Sequence, residues 1–571
     1  MSKVDSDRVL VYNKLNKFCL EEFLVNLFLF VVFTAMCVAA LSFAHKNSGA
    51  VSSAENVSEN AFLSFLYKHE KKLAIAILII GILVRVSFFW VVPDGLNQDE
   101  ASMAYDAYAD LTYGQDRNGD HNPVFSAAWG ITGHSLLYTT LSKLFIALFG
   151  LNAFSVRAAN VLFGVVAMFA FWGIVKRINK RTALISLFIF AICPWHIMMC
   201  RWGFDANIFP NVFLLGLYFL MRAFDDKRMY PVAMAVFGLS LYGYHLAYIP
   251  VIAFLIPTFV YILRNKKISV KDASIFLAIF AVLALPVAMF IIINTFDLSE
   301  INLGFITIPN LIGKYNSGIN IFENGISSAA KNIGLLFKAI FSTADTLIWN
   351  TIPEFGTIYL FSAPFIVVGA IALIKRVKKT KGSFAASNIV VFMLIASVIL
   401  GLLNKLNTNR AGFMFPVLII LLAEGILFVM THFKKPAYAI LPIYLCVFIA
   451  FSGVYFTSYR ENIARTFFAG TGDAITYAAE ETDGDIYLTE KINAPHIFAL
   501  FYTKTDPQVF INTVKYKKNS LSVISFDRFI TGIPEKLPEK AAFVVHESEK
   551  NKFNKNYNLK EFGNYYVATE K

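Results

Sequence analysis

Two adjacent carboxylates, Asp99 and Glu100, are the residues of this sequence with the clearest capacity for chemistry. They follow an apolar stretch, and Asp99, Met103, Asp106 and Asp110 recur at spacings that place them on one face of a short helix. A carboxylate beside a hydroxyl can accept its proton as the oxygen attacks a substrate. An acid at a helix start can also cap free backbone amides. Residue type alone leaves catalysis and capping open.

A second group of polar residues stands at short corners between apolar runs. Arg201 and Asp205 lie in CRWGFDANIF, His245 lies in YGYHLAY, and Arg410 opens RAGFMFPVLII. Arg and Tyr are common anchors at membrane interfaces, and that interpretation stays open for each residue alone. Together, cationic groups at the same depth as an acid pair indicate a site for a phosphate and a hydroxyl.

Other ionisable residues give weaker signals. Asp116, Asp120 and His121 lie in TYGQDRNGDHNP, which is either a polar turn or a cation site built from oxygen ligands. Arg85 and Glu424 lie within apolar runs, where ionisable groups are functional candidates by default. Arg85 could also extend its charged end to the interface.

The composition is that of a membrane protein. The 571 residues are 57% hydrophobic and 16% charged, with a mean hydropathy of +0.58, whereas soluble domains are about a quarter charged. The net charge of +12 comes from short loops, which is typical of cytoplasmic loops and argues against nucleic-acid binding. No GxxxxGK[ST] loop occurs, and no GxGxxG follows a strand. Any transferred group must therefore come from an activated donor delivered by the membrane.

Apolar length and loop charge together predict the topology. Spans are predicted at 20–44, 72–92, 155–175, 182–200, 207–224, 230–246, 248–263, 272–295, 357–375, 387–403, 411–431 and 436–457. All basic segments fall on the cytoplasmic side if 134–150 does not cross; they are 68–72, 176–181, 225–228, 264–267, 375–381 and 432–435. The segment 134–150 is short and carries Lys143 at its middle, which predicts an interfacial or re-entrant helix.

This topology divides the chain into three parts. Residues 1–71 form an extension with one extra span, whose orientation the flanking charges do not settle, and residues 72–457 form the transmembrane domain. External loops are expected at 93–154 and 296–356. Residues 458–571 are expected to form a soluble extracytoplasmic α/β domain. Its predicted strands are DIYLT, QVFIN, SVISF, AAFVVH and NYYVAT, and its predicted helices are GDAITYAAEE and APHIFALFY.

Several stretches resemble the GT-C superfamily of integral-membrane glycosyltransferases, in the branch of protein O-mannosyltransferases and the aminoarabinose transferase of lipid A. They are LVRVSFFWVVPDGLNQDEASMAYDAYADL, GHSLLYTTLSKLFIALFGLNAFSVRAANVLFG, CPWHIMMCRWGFDANIFPNVFLLGLYFLMRAF and NRAGFMFPVLIILLAEG. The resemblance covers about 72–260 and 400–430. It implies an α-helical polytopic membrane protein with a GT-C fold of about 11–12 transmembrane helices. External juxtamembrane helices and a small C-terminal α/β domain complete this expectation.

The resemblance also implies roles for individual residues. Asp99 would be the general base for the acceptor hydroxyl, and Glu100 would support it or orient the acceptor. Arg201, His245 and Arg410 would face the lipid phosphate. Two further residues match family positions: Asp205 matches the acid after the third strong span, and His134 matches a Lys or His that precedes two prolines in relatives, which are Ser135 and Leu136 here.

The function expected from this resemblance is sugar transfer, mannosyltransferase-like, from a polyprenyl-phosphate donor to an acceptor hydroxyl at the outer face of the cell membrane, with inversion. The acceptor could be a protein, a glycolipid or a cell-wall polymer, and a divalent metal is left open. The alternative is a transporter or flippase of lipid-linked sugars without chemistry. A scaffold that presents the C-terminal domain is a third interpretation, against which the acid pair and the charges within spans argue.

Overall fold

The computed structural model describes residues 25–44, 61–128, 132–311, 321–341, 347–379, 384–433, 435–518 and 520–571. Residues 1–24 and 45–60, and with them the first residues of the span expected at 20–44, lie outside the described part of the chain.

Helices dominate the described chain up to residue 513. In chain order they are α1 Val25–Ala44, α2 Ala61–Lys68, α3 Glu70–Val86, α4 Gln98–Tyr113, α5 Leu136–Phe149, α6 Ala153–Ile178, α7 Ala183–Ile192, α8 Pro194–Cys200, α9 Asp205–Ala223, α10 Met229–Ser240, α11 Tyr248–Arg264, α12 Val270–Phe296, α13 Ile321–Phe341, α14 Ala363–Lys379, α15 Ser387–Leu403, α16 Phe415–Phe433, α17 Ile440–Phe456, α18 Ser458–Thr466, α19 Thr471–Glu481, α20 Pro495–Thr503 and α21 Pro507–Thr513. Short 3-10 helices lie at Leu360–Ser362, Lys435–Ala439 and Glu547–Lys552.

Seven helices of the described residues are long and apolar enough to cross a membrane, which confirms a multi-pass membrane protein. They are Val25–Ala44, Ala153–Ile178, Asp205–Ala223, Val270–Phe296, Leu360–Lys379, Phe415–Phe433 and Lys435–Phe456. An eighth span is counted if α7 and α8 are joined across their 54° bend. The sequence predicted one straight span at 182–200. The break falls at Cys193 because Pro194 disfavours helical geometry in the residue before it.

The other predicted spans form shorter helices. α3, α11 and α15 have 17 residues and α10 has 12, whereas an upright span needs about 20. The segment expected to be interfacial forms α5, which has 14 residues and begins where the Ser135 side chain accepts a hydrogen bond from the Tyr138 amide. A helix of that length is too short to cross the hydrocarbon core.

The two ends of the helical bundle differ in charge. Helices α9, α11 and α16 each end in or beside one of the predicted basic segments. Each begins next to a polar corner: α9 after Arg201, α11 after His245 and α16 after Arg410. The basic segments and the polar corners therefore lie at opposite ends of the same helices, as the predicted topology requires.

Strands occur in two short hairpins and one larger sheet. They are β1 Phe125–Ala128, β2 Thr132–Ser135, β3 Ile301–Asn302, β4 Thr307–Ile308, β5 Ile486–Leu488, β6 Lys515–Tyr516, β7 Val523–Phe526, β8 Phe529–Thr531, β9 Ala542–His546, β10 Tyr557–Phe562 and β11 Tyr565–Glu570. The C-terminal sheet has the order β10-β11-β9-β5-β8-β7-β6. β5 runs parallel to its two neighbours, β8 and β9, and the other pairings of the sheet are antiparallel. The small C-terminal α/β region is thus confirmed.

One predicted strand of this region is wrong. The segment QVFIN lies within the helix α21. The Asp506 side chain accepts a hydrogen bond from the Gln508 amide, and Pro507 occupies the first turn. An Asp cap followed by proline is a helix start, and this local signal overrides the β propensity of Val509 and Ile511.

Helix α4 joins the C-terminal region to the membrane bundle. Ala101, Ala104 and Tyr105 of α4 belong to the same hydrophobic core as Phe498 and Phe510 of the C-terminal region. The Tyr105 hydroxyl also donates to the carbonyl of Thr505 at 2.7 Å. Because α4 starts at the acid pair, its packing fixes where Asp99 stands relative to both parts of the protein.

Candidate active site

A cavity of about 270 Å³ lies at the end of the bundle that carries the polar corners. It brings together five of the residues predicted from sequence: Asp99, His134, Asp205, His245 and Arg410. These residues come from separate chain segments, so only the fold places them side by side. The described lining is completed by Asn97, Gln98, Ala128, Gly133, Trp202, Phe204, Tyr244, Leu347, Trp349, Asn407 and Asn409.

Asp99 stands at the cavity wall because of the way α4 begins. Asn97 is the N-cap, and its side-chain oxygen accepts a hydrogen bond from the Asp99 amide at 2.9 Å. Asp99 is therefore the second residue of the helix, where the positive end of the helix dipole favours an ionised carboxylate. Its side chain is half-buried and borders the cavity.

Glu100 does not line this cavity and is fully buried. Its carboxylate pairs with Arg157 at 2.8 Å and accepts hydrogen bonds from the amides of Gly203 at 2.5 Å and Asn97 at 2.9 Å. The last contact completes a capping box with Asn97. The capping interpretation therefore describes Glu100, and Asp99 is the acid that borders the cavity.

Arg157 is a residue that the sequence analysis missed. Its guanidinium binds both oxygens of Glu100, at 2.8 and 3.1 Å. It also donates to the carbonyls of Phe89, Pro93 and Gly95 at 2.7 to 3.1 Å. Arg157 thus ties the chain between α3 and α4 to the second turn of α6. An arginine near the start of a long apolar run was the available signal.

Arg201 was expected to face the lipid phosphate, and the structure places it elsewhere. It is fully buried and donates to four backbone carbonyls between residues 84 and 92, at 2.7 to 3.2 Å. It also contacts the Tyr455 hydroxyl at 3.2 Å. Its N–H groups satisfy the carbonyls freed where α3 ends, which is how a buried arginine is balanced without a carboxylate. Arg201 thus joins the end of α8 to the end of α3.

Arg410 supplies positive charge to the cavity. Its backbone amide donates to Asn407 at 2.9 Å and its guanidinium donates to the carbonyl of Lys405 at 3.0 Å. It also contacts the Tyr244 hydroxyl. Burial, reinforced by the Arg410 charge, lowers the pKa of His245 to about 3 in the loop between α10 and α11. His245 is therefore neutral at physiological pH, and the guanidinium carries the charge.

A short network of polar contacts holds the ring of His134 in place. The Arg117 guanidinium donates to the Ser102 hydroxyl oxygen at 2.7 Å, and this hydroxyl lies 2.9 Å from Nε2 of His134. Ser102 therefore links the Arg117 guanidinium to the imidazole ring of His134. Burial, followed by the Arg117 charge, lowers the pKa of His134 to about 3, which keeps the ring neutral.

Asp205 begins α9 and lines the same cavity as Asp99. Its carboxyl group accepts a hydrogen bond from the Ala206 amide at 2.6 Å. Two carboxylates and the Arg410 guanidinium thus share one small cavity. This arrangement can hold an anion on one side and accept a proton on the other.

The acids of the following loop serve other contacts. Asp116 accepts hydrogen bonds from the amides of Asn118 and Asp120 at 2.8 and 3.1 Å, and His121 Nδ1 lies 2.5 Å from the carbonyl of Gly114. These contacts form a polar turn. Burial and the neighbouring Asp116 raise the pKa of Asp120 to about 6. Within the described ranges, no group of three His, Cys, Asp or Glu side chains is arranged as metal ligands.

The ionisable residues within spans are also outside the cavity. Arg85 contacts His196 Nδ1 at 2.8 Å and the carbonyls where α7 ends. Glu424 pairs with Arg376 at the basic end of the bundle and accepts a hydrogen bond from Asn179 at 2.9 Å. Both residues connect helices.

The chain is similar to known proteins over part of its sequence and, distantly, in its fold. Residues 133–292 match the family model described as dolichyl-phosphate-mannose-protein mannosyltransferase. That segment includes His134, Arg157, Asp205 and His245, while Asp99 and Arg410 lie outside it. No curated protein sequence matches the chain.

Solved structures show a distant likeness. ArnT from Cupriavidus metallidurans bound to undecaprenyl phosphate is 11% identical, with a TM-score of 0.47 over 87% of this chain and 96% of that one. Its apo state is 10% identical, with a TM-score of 0.48 over 88% and 98%. AglB from Archaeoglobus fulgidus, in complex with an inhibitory peptide and a dolichol-phosphate, is 14% identical, with a TM-score of 0.44 over 76% and 64%. The family match over residues 133–292 confirms the predicted resemblance to the GT-C membrane glycosyltransferases.

Proposed function

We propose that the chain transfers a sugar from a polyprenyl-phosphate donor to an acceptor hydroxyl at the extracytoplasmic face of the membrane, with inversion at the anomeric carbon. The observation that carries this proposal is the shared cavity of Asp99, His134, His245 and Arg410 at the polar end of a membrane bundle. A family model named for transfer from a lipid-phosphate sugar to protein supports the same class of donor. Mannose is the sugar that this name favours.

The cationic wall of the cavity is suited to the donor phosphate. Arg410 provides a guanidinium, which binds phosphate oxygens as a planar fork. The neutral rings of His134 and His245 add N–H donors without competing charge. As the glycosidic bond breaks, negative charge grows on the leaving phosphate, and donors already in position stabilise it. The polyprenyl tail remains in the bilayer beside the apolar helices.

Asp99 is suited to the proton transfer. In the proposed step, the acceptor oxygen forms a bond to the anomeric carbon while the bond from that carbon to the phosphate oxygen breaks. The acceptor proton moves to the Asp99 carboxylate, and polyprenyl phosphate leaves with the bonding electron pair. Attack from the face opposite the phosphate inverts the configuration. Glu100, buried with Arg157, acts as a positioning residue for the turn that carries Asp99.

Purified protein incubated with a panel of radiolabelled polyprenyl-phosphate sugars tests this function. Asp99→Ala should lower sugar transfer roughly 10²- to 10⁴-fold, the usual contribution of a general base. Arg410→Gln should lower it roughly 10²- to 10³-fold through lost stabilisation of the leaving group. Asp225→Asn, an exposed acid at the basic end, is the matched control and should keep full activity.

Normal turnover by a folded and inserted Asp99→Ala variant would falsify the assignment. Movement of intact donor without cleavage would favour a transporter.

A further inference from the structure

A second and larger cavity, of about 580 Å³, lies on the other side of Asp99. Its volume is within the range of about 300–1,000 Å³ that is typical of ligand pockets. It shares Gln98 and Asp99 with the first cavity, and its other described lining residues all come from the C-terminal region. These are Glu490, Ile492, Asn493, Ala494, Pro495, His496, Leu521, Ser522, Val523 and Thr531. One carboxylate therefore faces two separate compartments.

The two compartments differ in charge. Each cavity is lined by two acids, Asp99 and Asp205 in the first and Asp99 and Glu490 in the second, but the first also contains the Arg410 guanidinium, whereas the described lining of the second has neither lysine nor arginine. Burial and the more distant Arg117 lower the pKa of His496 to about 3, so its ring is neutral at physiological pH. The guanidinium therefore favours a phosphate in the first cavity over the second.

The walls of the second cavity are held in place by α4. The Tyr113 hydroxyl donates to the Asp506 carboxylate at 2.7 Å, and the Tyr105 hydroxyl donates to the Thr505 carbonyl at 2.7 Å. Both bonds join α4 to the segment that follows α20. The apolar core that α4 shares with this region lies directly behind the cavity wall. A molecule bound by the C-terminal region is therefore held at a fixed position relative to Asp99.

We propose that this second cavity binds the acceptor, and that the acceptor is a neutral, hydroxyl-rich carbohydrate chain that presents one hydroxyl to Asp99. This inference rests on the proposed function and assigns the donor phosphate to the first cavity. The lining matches such a ligand because carboxylates accept hydrogen bonds, amides such as Asn493 and Gln98 both donate and accept, and so do the hydroxyls of Ser522 and Thr531. Sugar hydroxyls have the same dual capacity.

Acceptor fractions that differ in charge test the proposed chemistry. The host cell envelope is separated into neutral glycans, anionic glycans and a tryptic peptide digest, and each is incubated with the full-length protein and the radiolabelled donor. Label should enter the neutral glycan fraction. Label that enters the anionic or the peptide fraction instead overturns the inference. Donor hydrolysis with no label in any fraction also overturns it.

A pair of tryptophan substitutions tests the place of binding. Asn493 lies at the exposed rim of the second cavity, so Asn493→Trp should narrow the cavity without disturbing the core. Asn551→Trp, at an exposed position of the same region that does not line the cavity, is the matched control. Asn493→Trp should lower transfer to the neutral glycans on the order of 10²-fold, the effect of displacing a reacting group. It should leave donor hydrolysis unchanged, and the control should leave both reactions unchanged.

The two proposals fail in different ways in this experiment. If the unaltered protein neither hydrolyses nor transfers any donor, the proposed function itself is wrong. If the unaltered protein is active and Asn493→Trp transfers as well as Asn551→Trp does, the function stands and the second cavity is not the acceptor site. Equal loss of hydrolysis and transfer in Asn493→Trp also overturns the inference, because it would mean that the substitution acts on the donor side.

Discussion

At the scale of residues, the main result is that Asp99 and Glu100 have different surroundings although they are adjacent in sequence. Successive residues of an α-helix point about 100° apart, so one acid of the pair faces the cavity while the other faces the interior. Asp99 is half-buried at the junction of two cavities. Glu100 is fully buried and paired with Arg157. Glu100 looks equivalent to Asp99 in the sequence, but its contacts in the fold are structural.

This difference predicts opposite consequences for conservative substitutions. Glu100→Gln leaves the Arg157 charge buried without its carboxylate, and breaking a buried ion pair in this way destabilises proteins by about 3–5 kcal/mol. Asp99→Asn removes a charge at a half-buried position and should leave the melting temperature nearly unchanged while it lowers transfer. Thermal unfolding in detergent, measured beside the transfer assay, checks both outcomes. A lower melting temperature for Asp99→Asn than for Glu100→Gln would contradict the division of roles.

Burial of His496 predicts a specific dependence of stability on pH. Its pKa in the folded protein is about 3, whereas an exposed histidine has a pKa of about 6.5. Between these values the unfolded chain binds more protons than the folded one, so the contribution of His496 to stability is lost as pH falls from about 6.5 to 3. Burial raises the pKa of Asp106 to about 7, so this group makes the folded protein more stable as pH falls. The effect of Asp106 is the same in the unaltered protein and in a variant at His496, so it cancels when the two are compared.

The comparison of the unaltered protein with His496→Gln isolates this effect. The melting temperature of the unaltered protein should fall more steeply than that of the variant as pH is lowered from 7 to 4. Unfolding scans at several pH values in the same detergent provide the measurement. Parallel curves for the two proteins would show that His496 is not held neutral by its surroundings.

At the scale of elements, the start of α4 is positioned by contacts from three directions. Asn97 caps the helix, Arg157 of α6 binds Glu100, and the Gly203 amide before α9 donates to the same carboxylate. Gly203 has no room for a side chain, because an added Cβ would lie 2.5 Å from the Tyr138 hydroxyl and 2.7 Å from a methyl group of Val156. The position of Asp99 is thus a property of several elements.

A double-mutant cycle measures the coupling of these elements. Glu100→Gln and Arg157→Gln should each destabilise the protein strongly, because each leaves an unpaired buried charge. The double variant removes both charges, so its loss of unfolding free energy should be smaller than the sum of the two single losses. Denaturant or thermal unfolding of all four proteins gives the coupling energy. Strict additivity would show that the two side chains do not form the pair that orients α4.

The sequence predicted most elements but could not predict their junctions. Apolar length identified the long spans, and strand-like runs identified β5, β7, β9 and β11. The errors came from local proline signals, at Pro194 in the broken span and at Pro507 in α21. For the site, the polar corners and the family resemblance named five of the residues that line the first cavity. The different places of Glu100 and Arg201 depend on side-chain orientation and on contacts with distant segments, which no single-sequence pattern encodes.

At the scale of the whole molecule, the protein has two chemically different ends. The basic segments lie at one end of the helices, while both cavities and the C-terminal sheet lie at the other. Basic loops favour the cytoplasmic side of a membrane. On that basis we expect the proposed donor site to open to the extracytoplasmic face, where a lipid-linked sugar can supply the energy of transfer without a nucleotide.

Cysteine labelling of intact cells tests this orientation. Asn551→Cys lies in the exposed surface of the C-terminal region, and Asp226→Cys lies in the basic segment after α9. An impermeant maleimide should label Asn551→Cys in intact cells and should label Asp226→Cys only after permeabilisation, because the two positions are on opposite sides of the bilayer. The unaltered protein, with its native cysteines, gives the background. The reverse pattern would place both cavities in the cytoplasm, where the argument for a membrane-delivered donor no longer holds. Labelling of both positions in intact cells would mean that the basic segments do not mark the cytoplasmic side in this protein.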